Sequence, residues 1–191
     1  MHRSIQIVLA LLALVGASAQ AGPVTYAIDP THTWTTWEAK HFGTSTFRGR
    51  FDKKEGSVTI DRAAKTGKVE ISIDLKSVNT GVEHLNNHLQ EPEFFDTEKF
   101  PTATFVGTDF RFDGDSVSQV TGQLTMKGKT APVTLKATGF NCYQNPMLKR
   151  EVCGGDFSTT LNRTDWGVSF GAPYPVGSEI RLLIQVEAIQ Q

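Results

Sequence analysis

Along most of the chain apolar and polar side chains alternate with period two, the arrangement that a β-strand with one buried face requires. Val69, Ile71, Ile73 and Leu75 share one face, with Lys68, Glu70, Ser72 and Asp74 on the other. Ile180, Leu182, Ile184, Val186 and Ala188 repeat the pattern near the carboxyl end, broken only by Leu183. Val120, Gly122, Leu124 and Met126 make a third run, and Val133, Leu135, Ala137 and Gly139 a fourth. Shorter strands are predicted over Trp34 to His41, Thr46 to Phe51, Ser57 to Asp61, Thr102 to Phe112 and Phe157 to Leu161. Turn residues separate them at Lys54-Glu55-Gly56, Thr66-Gly67, Asp113-Gly114-Asp115 and Lys127-Gly128-Lys129. One segment has helical spacing: a T-x-x-E capping box at Thr80-Gly81-Val82-Glu83, then Val82, Leu85 and Leu89, with Pro92 as the stop.

Eight or nine short strands joined by tight turns predict one all-β domain, an antiparallel barrel or sandwich with a short helical insertion. Parallel β-α-β units would need a helix between successive strands, and the pattern supplies only the one short helical segment. An eight-stranded barrel is just wide enough to be filled by its own side chains or to hold one small ligand. Gly122, Ala137, Gly139 and Ala188 sit among branched residues on the predicted inner face. At this point a packed core and a residual apolar cavity both remain open.

Composition narrows the partners. The 191 residues are 39% hydrophobic and 20% charged, with 19 basic against 20 acidic side chains. No basic run is longer than Lys53-Lys54, so a clamp for nucleic acid is excluded, because such binding needs a concentrated basic patch. Residues 1–21 read as a cleavable secretory signal. His2 and Arg3 form its positive end, Ile5 to Val15 its apolar run, and cleavage falls after Ala19 or Ala21. That run is about half of the roughly 20 residues a membrane span needs. The expectation is an exported domain over residues 22–191 with no stable membrane insertion. Export also decides the cysteines. Cys142 and Cys153 are eleven positions apart, which suits neither a C-x-x-C redox pair nor a zinc knuckle, and neither has a basic or His neighbour. A structural disulfide, stapling a Pro- and Gly-containing turn between two strands, is the reading.

Candidate chemistry is sparse. His84 and His88 share one face of the predicted helix, beside Glu83 and Glu91, but two ligands do not make a site and no H-E-x-x-H is present. His32 and His41 would have to approach in space. Neither Ser57 nor Ser178 sits in a G-x-S-x-G elbow, and Asp109, Asp113 and Asp115 lie around a turn where solvated charges are expected. Phe94 and Phe95 follow the helix in a non-strand segment, where two adjacent rings suit a lid over a barrel mouth. Arg163-Thr164-Asp165-Trp166-Gly167, before the last strand, can place a cation and an aromatic near an opening.

Several motifs then occur in an order that resembles a known family. Tyr26-Ala27-Ile28-Asp29-Pro30-Thr31-His32-Thr33, His41-Phe42-Gly43-Thr44-Ser45, Ser77-Val78-Asn79-Thr80-Gly81, His88-Leu89, Phe94-Phe95-Asp96, Phe100-Pro101-Thr102-Ala103-Thr104-Phe105 and Asn162-Arg163-Thr164-Asp165-Trp166-Gly167 resemble successive motifs of the YceI-like family of periplasmic polyisoprenoid-binding proteins. The resemblance implies an eight-stranded, lipocalin-like antiparallel β-barrel. Its interior would take a polyisoprenoid, either a quinone or a polyprenyl lipid, or a similar amphiphile. It further implies a periplasmic carrier that is not an enzyme and has no cofactor beyond the bound lipid. Carried over residue by residue, the ligand-binding set is His41, Phe42, His88, Leu89, Phe94, Phe95, Phe105, Arg163 and Trp166. Leu85-Asn86 departs from the basic-acidic pair common in the family at that place. Two other readings stand beside this one: a non-lipid interaction or stress-response module, and a His-based metal-binding protein. The oligomeric state, including a homodimer, is left open.

Overall fold

The computed structural model describes residues 22–191; the predicted signal segment lies outside them. The strands β1 (Val24–Ile28) and β2 (Trp34–His41) are two halves of one bent strand, and β3 (Ser45–Phe51) and β4 (Lys54–Asp61) are two halves of the next. β1 pairs with β4 and β2 with β3, so together they make one long hairpin. Both strands change phase at the bend. The buried positions are Tyr26 and Ile28 before it and Trp37 and Ala39 after it in the first strand, and Phe51 before and Lys54 after in the second.

 Ala39 is thus turned inward together with Trp37, while the Asp29–Thr33 bend is held locally. Thr31 donates its backbone N–H (2.9 Å) and its hydroxyl (2.6 Å) to Asp29 Oδ1, and His32 Nδ1 lies 2.7 Å from Asp29 Oδ2. This is the self-bonded turn that an Asp-Pro-Thr sequence favours.

β5 (Thr66–Asp74) pairs with β4 and leads into the insertion. The insertion consists of a 3-10 turn (Leu75–Ser77), the two-residue strand β6 (Val78–Asn79) on the edge of β3, and α1 (Glu83–Gln90). From there β7 (Thr102–Asp113), β8 (Ser116–Met126), β9 (Lys129–Asn145), β10 (Arg150–Asn162) and β11 (Val176–Gln190) follow as an antiparallel meander. β11 closes the ring, because Ala188 to Gln190 pair with β1 and a longer stretch, Val176 to Gln185, pairs with β2. With each bent strand counted once, this is the closed eight-stranded antiparallel barrel with one short helix.

Four local expectations are corrected. Lys54-Glu55-Gly56 is not a turn but the start of β4. Cys142 and Cys153 lie directly opposite each other within β9 and β10, so the turn they staple shrinks to residues 146–149; they form a disulfide, with Cα atoms 4.1 Å apart. Gly139 is exposed, because the β9–β10 register slips between Asp156 and Phe157, and Phe140 turns toward the interior instead. The capping box does not form. Val82 is the N-cap without a side-chain bond, and Thr80 donates its N–H (2.8 Å) and hydroxyl (2.7 Å) to Asn86 Oδ1. Asn86 therefore ties the approach to the helix.

The core divides in two. One cluster, under the insertion, includes Trp37, Phe51, Leu75, Val78, Leu89 and Phe94. The other, at the opposite end, includes Tyr26, Ile60, Val117, Val120, Phe157 and Ala188. Gly122 is required where it stands, since a Cβ there would lie 2.5 Å from the Val106 carbonyl oxygen and 2.7 Å from the Phe105 ring.

Two outcomes follow for stability. Reducing the disulfide should cost about 3 kcal/mol, the chain-entropy value for a loop of this size, read as a lower urea midpoint in the Cys142→Ser/Cys153→Ser variant. For Asp29, burial raises the carboxyl pKa, but the bonds from His32 and Thr31 outweigh it and bring the value down to about 2. A carboxylate held below its unfolded value stabilises the fold above that value and loses the contribution as pH falls through its folded pKa. Asp29→Asn should therefore be less stable than the parent at about pH 6, with the difference closing toward pH 2 in urea titrations run across that range.

Candidate functional site

The barrel is not filled by its own side chains. Two apolar cavities occupy it, of about 160 Å³ at the helix end and about 150 Å³ at the opposite end. Thr35, Ile73, Leu124 and Leu182 line both, so the two chambers adjoin at a waist formed by these side chains. The positions that make this space are the inward-facing, alternate residues along the strands, which explains why the walls are almost wholly apolar.

A lid closes the first chamber. Leu85 and Leu89 from α1 and Phe94 and Phe95 from the next segment line it, opposite Trp37 and Phe47. Both rings of the Phe94-Phe95 pair are used, as a lid requires. Two cations hold the lid and the adjoining loop in place, and each is bound by backbone carbonyls with no carboxylate within 4.0 Å. Lys127 Nζ donates to the carbonyls of Pro92 (2.6 Å), Phe94 (2.7 Å) and Gly167 (3.3 Å). Arg163 is only 4% exposed and donates to the carbonyls of Gly177 (3.0 Å), Val168 (2.8 Å) and Val176 (3.1 Å). Burial pushes the pKa of both groups down. These contacts bridge the lid, the loop before β11 and the β8–β9 turn.

The far end is closed by a polar network. Tyr26 donates its hydroxyl to Glu151 (2.5 Å), and Arg62 bonds both Glu151 and the Tyr26 oxygen (3.1 Å). Burial raises the Tyr26 pKa, and the Glu151 bond adds to the rise. Burial also acts to raise Glu151, but its bonds from Arg62 and Tyr26 outweigh it and hold the carboxyl below its ordinary value. The Cys142–Cys153 disulfide adjoins this network, with Cys153 Sγ 3.8 Å from Arg62.

The residues singled out from the sequence fall into three groups. Leu89, Phe94, Phe95 and Arg163 line the lid chamber and Phe105 lines the far chamber. His41, Phe42 and His88 line neither and stand on the outer rim of the lid end. His41 stacks on Phe47 with ring centres 4.4 Å apart, Phe42 packs edge-on against Tyr174 at 4.9 Å, and His88 contacts Phe94 at 4.8 Å and Phe170 at 5.4 Å. Trp166 is buried behind the wall and donates its indole N–H to the Leu124 carbonyl (2.9 Å), which backs the waist. His84 and His88 do not converge with His32, which is bonded to Asp29, or with His41. His88, Glu91 and Glu93 bring ligand atoms within 4.8 Å of one another, and the His88 Nδ1 to Glu91 contact is 2.7 Å.

Sequence reasoning missed the role of Lys127, which lies in a stretch read as a turn, and the Tyr26–Arg62–Glu151 network, whose members are far apart in the chain. Local pattern carries no signal for either.

The fold is a closed β-barrel with a lidded, two-chambered apolar interior. The YceI-like domain matches residues 26–188, and the chain belongs to the YceI-like family. A UPF0312 protein of Pseudomonas putida is 35% identical over 187 residues, covering 96% of this chain and 95% of the relative. A UPF0312 protein of Pseudomonas aeruginosa is 36% identical over 189 residues, covering 96% and 97%. Among solved structures, Burkholderia cenocepacia BcnA superposes with a TM-score of 0.71 at 25% identity, covering 84% of this chain and 99% of that one. A polyisoprenoid binding domain from Saccharophagus degradans shares the fold, with a TM-score of 0.64 at 17% identity over 88% of this chain and 99% of that one.

Replacing Lys127 by Met strands the carbonyls of Pro92 and Phe94. The expected cost is about 1–3 kcal/mol, with faster amide hydrogen exchange over residues 91–101 and little change in the far half of the barrel.

Proposed function

We propose that this protein is a periplasmic carrier that sequesters a polyisoprenoid, a quinone or polyprenyl lipid, or a similar long-tailed amphiphile in its barrel, without catalysis. The observation that carries the reading is the pair of apolar chambers that adjoin at the Thr35, Ile73, Leu124 and Leu182 waist inside the barrel. Burial of an alkyl or prenyl tail there gains about 25 cal/mol per Å² and needs no polar anchor along the walls. The polyisoprenoid binding domain of Saccharophagus degradans supports the same class of guest for this fold. The disulfide between Cys142 and Cys153 supports an oxidising compartment such as the periplasm. Among the described residues no helix is long and apolar enough to cross a membrane.

Native and denaturing mass spectrometry of the exported protein tests this directly. The expected result is a stoichiometric mass difference whose organic extract is an isoprenoid or related amphiphile. A difference the size of zinc would instead favour the cluster of His88, Glu91 and Glu93.

The waist gives a second test. Leu124→Trp should block passage between chambers, so that geranylgeraniol binds at least about tenfold more weakly while the shorter geraniol keeps its affinity, both read by displacement of a fluorescent probe. Equal losses for the two alcohols would show that the chambers do not act as one tube.

A further inference from the structure

Aromatic side chains are exposed around the lid for no reason that folding supplies. Phe42 is 50% exposed, Phe170 50% and Tyr174 69%. Phe42 also has a left-handed backbone, with φ of 51°, in a tight turn with Gly43 at 65°, where Asn, Asp or Gly is favoured over a bulky ring. A large ring left half-exposed on a left-handed backbone points to an interaction outside the fold.

The three rings form one rim. Phe42 touches Tyr174, and the segment from Phe170 to Tyr174 joins them to the lid, where Phe170 packs at 5.1 Å on Phe94. Phe94 itself lines the chamber. One layer of aromatic rings therefore separates the outside of the rim from the guest space.

We infer that the aromatic rim of Phe42, Phe170 and Tyr174 docks the lid end of the barrel onto the surface of a zwitterionic lipid bilayer, from which the guest is loaded and to which it is delivered. The inference rests on the carrier reading. Phe and Tyr rings suit the interfacial layer of a bilayer, apolar at one end and wet at the other. The charge around the rim selects the surface: the lid carries Glu83, Glu91 and Glu93, while the lysines beside it stand singly and are engaged, Lys40 with the Thr46 hydroxyl and Lys127 with three carbonyls, so no polybasic run is offered to an anionic surface. The docking is peripheral, with no spanning segment. Continuity with the lid makes the contact productive, since drawing Phe170 into the interface removes its packing from Phe94.

The opposite end is the natural control. Met147 is 88% exposed at the tip of the β9–β10 hairpin, beside the exposed Leu148, but that end is closed by the Tyr26, Arg62 and Glu151 network.

The test is flotation of the full mature protein with phosphatidylcholine vesicles, together with transfer of bound geranylgeraniol between vesicles. The parent should float with the vesicles, equally in low salt and in about 0.5 M salt, and its transfer rate should rise with acceptor vesicle concentration. Phe42→Asn/Tyr174→Ser should lower vesicle partition at least about tenfold and abolish the dependence on acceptor concentration. Phe42→Asn suits the left-handed turn, so the variant keeps its fold, and geranylgeraniol binding in solution should be unchanged. Met147→Ser/Leu148→Ser should behave as the parent.

Several results would overturn the inference: no flotation of the parent, flotation only with anionic vesicles and lost in salt, unchanged behaviour of the rim variant, or loss in the hairpin variant instead. Recognition of the rim by a membrane protein would appear as transfer from native membranes but not from pure lipid vesicles, and would also overturn it. Guest binding in solution is measured separately, so failure of the docking inference is distinguishable from failure of the carrier reading.

Discussion

Hydrogen bonding of β11 to both halves of the first bent strand is the constraint from which the rest of the molecule follows. Val176 to Gln185 pair with β2 and Ala188 to Gln190 with β1, and this leaves the main ladder without a free edge. Edge closure protects an apolar sheet from pairing with other chains, but it also fixes the barrel's circumference. Eight strands enclose more volume than the inward side chains fill, and the unfilled part becomes the tube. The phase changes near Asp29–Thr33 and Asp52–Lys53 let the two strands at the seam bend together without losing the pairing on either side.

Polar chemistry has been moved to the ends of that tube. At the lid end, the N–H groups of Lys127 and Arg163 are satisfied by six carbonyl groups. At the far end Glu151 is shared between a tyrosine and an arginine. Each arrangement satisfies buried donors or acceptors that an apolar wall cannot. The middle of the tube then has no directional demand on its guest beyond shape, apart from residues at the seam such as Lys54, whose ammonium rests on the Trp34 ring at 3.7 Å.

The barrel itself was legible because period-two alternation is a local signal of which face is buried. Val69 to Ile73 and Ile180 to Ala188 show it clearly in the sequence, and both lie in strands that line the interior. The Phe94-Phe95 lid was legible for a related reason: two adjacent rings outside a strand cannot share one wall. What the pattern missed is non-local. Gly139 looked inward by simple alternation, and only the register of its neighbour β10 turns it out. The capping box failed because Asn86 competes for Thr80, a choice made by the folded loop. Lys127 and the Tyr26–Arg62–Glu151 network depend on chain segments brought together from a distance. The rim residues His41, Phe42 and His88 stood out in the motifs, but their place outside the chambers needed the turn and loop geometry.

The division of the core into two clusters gives the barrel a strong half and a weak half. The far cluster is bounded by continuous strands, a disulfide and an ion-paired network, whereas the lid cluster depends on a helix of eight residues and loops clamped by two cations. Such halves open with different free energies, so the lid half can come apart locally while the far half stays folded. A guest that spans the waist ties the two together and lends its binding free energy to the weaker one. An occupied barrel would then unfold as a single cooperative unit, whereas an empty one opens first at the lid.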